Sequence, residues 1–132
     1  MPRPRPPRAR ETILLVEDNE GVRDYARGVL EGLGYAVLEA ENANKAMRLI
    51  AKRPAVTLLF TDVVLPGSMS GRELADKVRK KYPGLPVLYT TGYTRNAIVH
   101  QGRLDPDVHL LNKPYTQREL AQKLRELIDA AG

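Results

Sequence analysis

The chain has 132 residues and a net charge of +5, a length that fits one domain of about 120 residues with a core needing no staple. It has no cysteine, which excludes disulfides, thiolate metal sites and cysteine nucleophiles, and His100 and His109 lack zinc-ligand spacing. No apolar run approaches the roughly 18 residues of a membrane span and no signal-peptide core follows the basic start, so the expectation is a soluble, cytoplasmic domain without membrane insertion.

In chain order, residues 1–10 come first. They hold Arg3, Arg5, Arg8 and Arg10 without an acid and four of the ten prolines, and they read as a disordered, extended tail. The remaining 17 Lys and Arg face 16 Asp and Glu. Residues 11–132 are therefore nearly neutral, which argues against nucleic acid as a partner of the domain.

After the tail, short apolar runs alternate with helical spacing. Thr12–Val16 is a branched apolar run that stops at Glu17-Asp18-Asn19, the pattern of a strand buried on both faces. Val22, Tyr25, Ala26, Val29, Leu30 and Leu33 recur at helical spacing up to Gly34. Tyr35–Leu38 reads as a second strand. Ala43, Ala46, Met47, Leu49 and Ile50 read as the apolar side of a second helix, ended by Pro54. Val56–Thr61 is a third strand running into Asp62, and Leu74, Ala75 and Val78 mark a helix ending near Tyr82-Pro83-Gly84. Pro86–Thr90 predicts strand four and Ala97-Ile98-Val99 a short helix, in a region that Gly102 and Asp105-Pro106 interrupt. Val108–Leu111 predicts strand five, before a last helix carrying Leu120, Leu124, Leu127 and Ile128. Five strands alternating with five helices predict a doubly wound α/β fold around a five-stranded parallel sheet.

In such folds the working site lies beyond the carboxyl ends of the strands. Those ends carry Glu17 and Asp18, then Asp62, then Thr90, Thr91 and Gly92, then Asn112, Lys113 and Pro114. Each has a plain structural reading: Asp18 as a helix cap, Asp62 as the opening of the Pro66-Gly67 turn, Thr91 as a turn hydroxyl, Lys113 as a surface charge. Together, three crowded carboxylates repel one another unless a cation sits among them, and oxygen ligands without His or Cys suit Mg²⁺. A hydroxyl and an ammonium beside that cation supply donors for a phosphoryl group, and the chemistry indicated is phosphoryl transfer to a carboxylate.

From Thr12 to the C-terminus the sequence resembles the receiver domains of two-component response regulators, with the CheY-like or flavodoxin-like fold. The motifs are Glu17-Asp18, Asp62, Thr91-Gly92 and Lys113-Pro114-Tyr115, in order and near the family spacing. The resemblance implies that Asp62 accepts phosphate from a phosphohistidine on a histidine kinase or histidine phosphotransfer protein. It implies that Glu17, Asp18, Asp62 and the main-chain carbonyl of Val64 hold Mg²⁺, that Asp62, Thr91 and Lys113 are the catalytic set, and that the Lys113-Pro114 peptide is cis. Met69 and Gly71 resemble the loop after the phosphorylation site, here one residue longer than the commonest spacing. Leu110 replaces the aromatic residue that many receivers carry three before the lysine. The resemblance also implies that Val64 and Tyr93 flank the path of the water that removes the phosphoryl group, and their apolar or bulky character then implies a long phosphoryl lifetime.

The stretch from Leu88 to Pro106 is similar to receivers at the C-termini of hybrid sensor kinases. A stand-alone receiver and one excised from a longer protein both fit. Partner specificity is expected to lie on the first helix, at residues such as Val22, Arg23 and Ala26. The rival readings are a pseudo-receiver, an unphosphorylated interaction module, and an aspartyl-phosphate hydrolase. The intact Glu17, Asp18, Asp62, Thr91 and Lys113 argue against the first. Against the second stands Val64, at the position where such hydrolases commonly carry a second acid.

Overall fold

The computed structural model describes residues 11–52, 55–91, 99–100, 103–104 and 109–131. The tail, Pro54, Gly92, Tyr93, Ala97, Ile98 and Val108 lie outside these residues, and so do the expectations placed on them. The elements are β1 (Thr12–Val16), α1 (Glu20–Gly32), β2 (Ala36–Ala40), α2 (Ala43–Lys52), β3 (Leu58–Asp62), α3 (Gly71–Lys81) and β4 (Val87–Thr91). They are followed by β5 (Val99–His100), β6 (Arg103–Leu104), β7 (Leu110–Asn112) and α4 (Gln117–Ala131).

Five strands form one parallel sheet in the order β2-β1-β3-β4-β7. Alternate strand residues feed two cores. Leu14, Val16, Leu59, Val87 and Tyr89 pack with Ala43, Ala46 and Ile50 of α2 and with Leu74, Ala75 and Val78 of α3. Ile13, Leu15, Leu58, Phe60, Leu88 and Leu111 pack with Ala26 and Leu30 of α1 and with Leu120, Leu124, Leu127 and Ile128 of α4. A fully buried leucine stabilises the fold by about 1.5–3 kcal/mol relative to an exposed one, and β1, β3 and β4 are buried on both faces. This explains why those three strands read as unbroken apolar runs. The chain therefore has the expected doubly wound, flavodoxin-like architecture.

One expected element differs. Val99, expected in a helix, is extended: β5 and β6 pair antiparallel, with Val99 opposite Leu104 and His100 opposite Arg103. The described residues thus include four α-helices, not five. The local sequence gives a reason, since the β-branched Val99 favours extended chain.

The other boundaries move by a residue or two. Asn19, not Asp18, caps α1: its side chain accepts from the Val22 N–H at 2.9 Å, so the helix starts earlier than the apolar spacing predicts. Gly34, at φ 102°, ends that helix as expected. Strand β3 extends through Asp62, and β4 through Thr91.

Candidate functional site

Strand order reverses between β1 and β3, and this switch point sets the site. The two strands pair in register to Val16 and Thr61, so Glu17 and Asp18 leave β1 beside Asp62 at the end of β3. Ligand oxygens of Glu17, Asp18 and Asp62 all lie within 4.8 Å of one another. Glu17 and Asp62 are buried and Asp18 is exposed, so the cluster opens to solvent through Asp18.

A dense set of bonds holds Glu17. Its main-chain N–H donates to the Ala40 carbonyl at 3.0 Å, and the Nη1 of Arg23 donates to its carbonyl at 2.8 Å. Its carboxylate accepts from the Asn19 N–H at 3.0 Å and from Lys113 Nζ at 2.6 Å. The same Nζ donates to Asp62 Oδ2 at 3.1 Å. Lys113 arrives from the loop after β7, where its own N–H donates to the Thr91 carbonyl at 2.9 Å. The Lys113-Pro114 peptide is cis, as expected. Behind it, the Tyr115 ring packs against Phe60 and Tyr25, each at 6.1 Å between centroids. Burial pushes the Tyr115 phenol up to about 12.

The electrostatics show one cation among too many anions. Burial pushes the Glu17 carboxyl up, against the pull of Lys113 and the Asn19 N–H. Burial also opposes the charge on Lys113, but bonds to Glu17 and Asp62 outweigh it and hold the ammonium above its ordinary value. The two shifts have different causes: burial makes the Glu17 carboxyl harder to ionise, whereas neighbouring carboxylates make the Lys113 ammonium harder to discharge.

The connection from β3 to α3 explains Gly71. A β-carbon there would collide with the Asp62 carbonyl oxygen, while the Gly71 N–H donates to the Val63 carbonyl at 2.9 Å. Ser70 caps α3 in a capping box with Glu73, so the helix start is pinned against the Asp62 main chain. The Val64 N–H lies 3.4 Å from Asp62 Oδ1, and Val64 is 48% exposed.

The expected carboxylates and lysine therefore converge. Thr91 sits at the end of β4, buried, and Leu110 is half-buried against the core on the α2–α3 side. The expectation for the first helix needs correction. Ala26 is 1% exposed because it packs into the core, and Arg23 is turned inward to the Glu17 carbonyl. The surface on offer there is Val22, Tyr25, Pro114 and Tyr115, which line a groove beside Lys113. The sequence named Arg23 as a partner-surface residue and Thr90 among the strand-end groups, but neither the bond of Arg23 to the Glu17 carbonyl nor the burial of Thr90 is visible in a pattern.

Comparison with known proteins points the same way. Residues 13–125 match the model of the family described as the response regulator receiver domain. The response regulator receiver protein CpdR of Brucella abortus (strain 2308) is 32% identical over 119 residues, covering 90% of this chain and 98% of CpdR. The sensor kinase CckA of the same organism is 30% identical over 119 residues, which cover 89% of this chain but 12% of the kinase. A response regulator receiver protein from Sinorhizobium medicae WSM419, known by crystal structure, superposes with a TM-score of 0.83 at 23% identity, covering 94% of this chain and 98% of that one. The chain belongs to the response regulator receiver domain family of two-component systems.

Proposed function

We propose that this receiver accepts a phosphoryl group on Asp62 from a phosphohistidine of a histidine kinase or a histidine phosphotransfer protein. Receiver domains are phosphorylatable switches, not turnover enzymes, and they work with such partners. The observation that carries the reading is the placement of Asp62, whose carboxylate shares Lys113 with Glu17 at the rim of the switch point. In the transfer an Asp62 oxygen forms a bond to phosphorus as the phosphorus–nitrogen bond breaks, and the departing imidazole takes a proton from water.

Receiver domains typically bind Mg²⁺ at an acidic pocket, and the donor set here fits it: three carboxylates with hard oxygen atoms, no soft ligand, and negative charge that Lys113 alone does not balance. Glu17, Asp18, Asp62 and the Val64 carbonyl would hold the ion. Its chemistry there is charge neutralisation on the phosphoryl oxygens. Lys113 pairs with a phosphoryl oxygen, Thr91 donates its hydroxyl to another, and Gly71 keeps the Asp62 main chain in place. The groove formed by Val22, Tyr25, Pro114 and Tyr115 is where the partner's helix docks, an apolar surface directly beside Lys113.

Incubation with Mg²⁺ and acetyl phosphate tests this. The wild type is expected to gain one acid-labile, hydroxylamine-sensitive phosphoryl group, and Asp62→Asn none. An unmodified wild type would favour an interaction module of the same fold, and multiple turnover of a phosphate ester would favour a hydrolase. Asp18→Ala should lose Mg²⁺ binding as well as phosphorylation, while Thr91→Ala should keep binding.

A further inference from the structure

The three carboxylates of the cluster are not held alike. Glu17 and Asp62 both accept from Lys113 Nζ, whereas Asp18 is exposed and its carboxylate has no hydrogen bond or ion pair among the described residues. The direction in which Asp18 projects is therefore set by its main chain, whose two soft dihedrals lie between the Glu17–Asp18 and Asp18–Asn19 peptide planes. Each plane is held at one atom. Arg23 Nη1 donates to the Glu17 carbonyl at 2.8 Å, and the Asn19 N–H donates to Glu17 Oε2 at 3.0 Å. The second bond uses a carboxylate of the metal-ligand set; the first does not.

Arg23 is itself fixed. Its side chain is 17% exposed, and its Nε lies 3.6 Å from Glu39 Oε1. Glu39 is gripped in turn by Arg27 Nη1, at 3.2 and 3.0 Å from its two oxygens. It stands on β2 beside Ala40, whose carbonyl accepts the Glu17 N–H. A planar guanidinium serves a carbonyl and a carboxylate at once in fixed geometry, which an ammonium on a flexible stem does not. Glu39 also offsets the positive charge that Arg23 brings towards a cation site.

We propose that Arg23 is a positioning residue for Mg²⁺, which through the Glu17–Asp18 peptide keeps the Asp18 carboxylate beside Glu17 and Asp62; this rests on the acidic cluster being the metal site. Two effects of the guanidinium then have opposite signs. As a cation it opposes Mg²⁺. As a clamp on the main chain it favours Mg²⁺, because a carboxylate already in place loses less freedom when the ion binds. Glu39 offsets the first effect, so the second decides the sign.

Arg23→Met keeps an unbranched apolar stem and removes the fork. Titration of the full chain with Mg²⁺, followed by amide shifts, is expected to show affinity reduced roughly tenfold, although a positive charge has gone. In the metal-free protein, relaxation of the Asp18 and Asn19 amides is expected to show greater mobility than in the wild type. Arg23→Lys, which keeps the charge and a single donor group, should fall between the two in both measurements. An affinity at or above the wild-type value in Arg23→Met overturns the proposal, since the guanidinium would then act only as a competing charge. A lower affinity with Asp18 and Asn19 amides as ordered as in the wild type overturns it too, since the loss would not pass through the main chain. Where Arg23→Met does not fold, Arg23→Lys carries both measurements, and wild-type values in either overturn the proposal. A wild type that binds no Mg²⁺ removes the metal reading, and this proposal with it. A wild type that binds Mg²⁺ beside an Arg23→Met that binds it equally well overturns this proposal alone.

Discussion

Buried charges gather at both ends of the parallel sheet, and they are arranged differently. At the amino ends, Arg125 of α4 donates through Nη1 to Glu11 Oε1 at 2.6 Å, through Nη2 to Asp129 at 2.7 Å, and through Nη1 to the Tyr35 hydroxyl at 3.4 Å. Burial pulls the Arg125 guanidinium down, but Glu11 and Asp129 outweigh it and hold its charge firmly in place. The branched guanidinium reaches each of its partners directly, so this end ties α4 to the starts of β1 and β2. At the carboxyl ends, three carboxylates cluster around one ammonium among the described residues, that of Lys113, which pairs with Glu17 and Asp62. Both regions cost desolvation. The difference teaches that paired charge fixes the fold, whereas surplus charge of one sign at a strand terminus marks a place prepared for a ligand.

The strongest way to break that comparison is Arg125→Ala. Removing one partner of a buried ion pair costs about 3–5 kcal/mol, to be read from urea denaturation, while Mg²⁺ affinity measured on the folded protein should stay at the wild-type value. A parallel loss of Mg²⁺ binding would show that the two ends are not separate in role. Gly71→Ala is the next largest. Forcing a β-carbon against the Asp62 carbonyl should cost about 1–3 kcal/mol and lower phosphorylation as well, because the strain falls on the phosphoacceptor's own main chain.

Lys113→Met sharpens the contrast from the other side. Loss of the one ammonium leaves the carboxylates uncompensated, so Mg²⁺ affinity should rise by about tenfold, equivalent to about 1.4 kcal/mol, while phosphorylation falls. A drop in Mg²⁺ affinity would mean that Lys113 organises the site more than it competes for it. The family resemblance implies that Val64 and Tyr93 flank the water path, so with Val64→Asn combined with Tyr93→Glu decay of the phosphorylated protein in Mg²⁺ is expected to quicken by roughly severalfold. Decay at the wild-type rate would place control of the lifetime elsewhere.

The smallest effect belongs to Glu73. The Ser70 main-chain N–H and hydroxyl hold its carboxyl below the ordinary value. A group lowered on folding contributes stability above its unfolded value of 4.5, and that contribution is lost as pH falls through the lower folded value. The wild-type melting temperature should therefore exceed that of Glu73→Gln slightly near neutrality, and the gap should close on acidification below pH 4.5.

The sequence alone determined the strands, since Thr12–Val16, the run into Asp62 and the run into Thr91 are apolar enough to require burial on both faces. It also determined that carboxylates, hydroxyls and a lysine stand at strand ends, because a strand that stops being apolar has left the core. These signals are local. Tertiary structure alone decided which of those ends are neighbours, since strand order β2-β1-β3-β4-β7 depends on how helices cover both faces of the sheet. It alone turned Arg23 to the Glu17 carbonyl and buried Ala26. The extended conformation of Val99 depended on pairing with Leu104, which helical spacing does not report. Thr90 shows the boundary most clearly: its identity is written in the sequence, but its burial opposite Asp62, with no hydrogen-bond partner for its hydroxyl among the described residues, follows from strand register and packing.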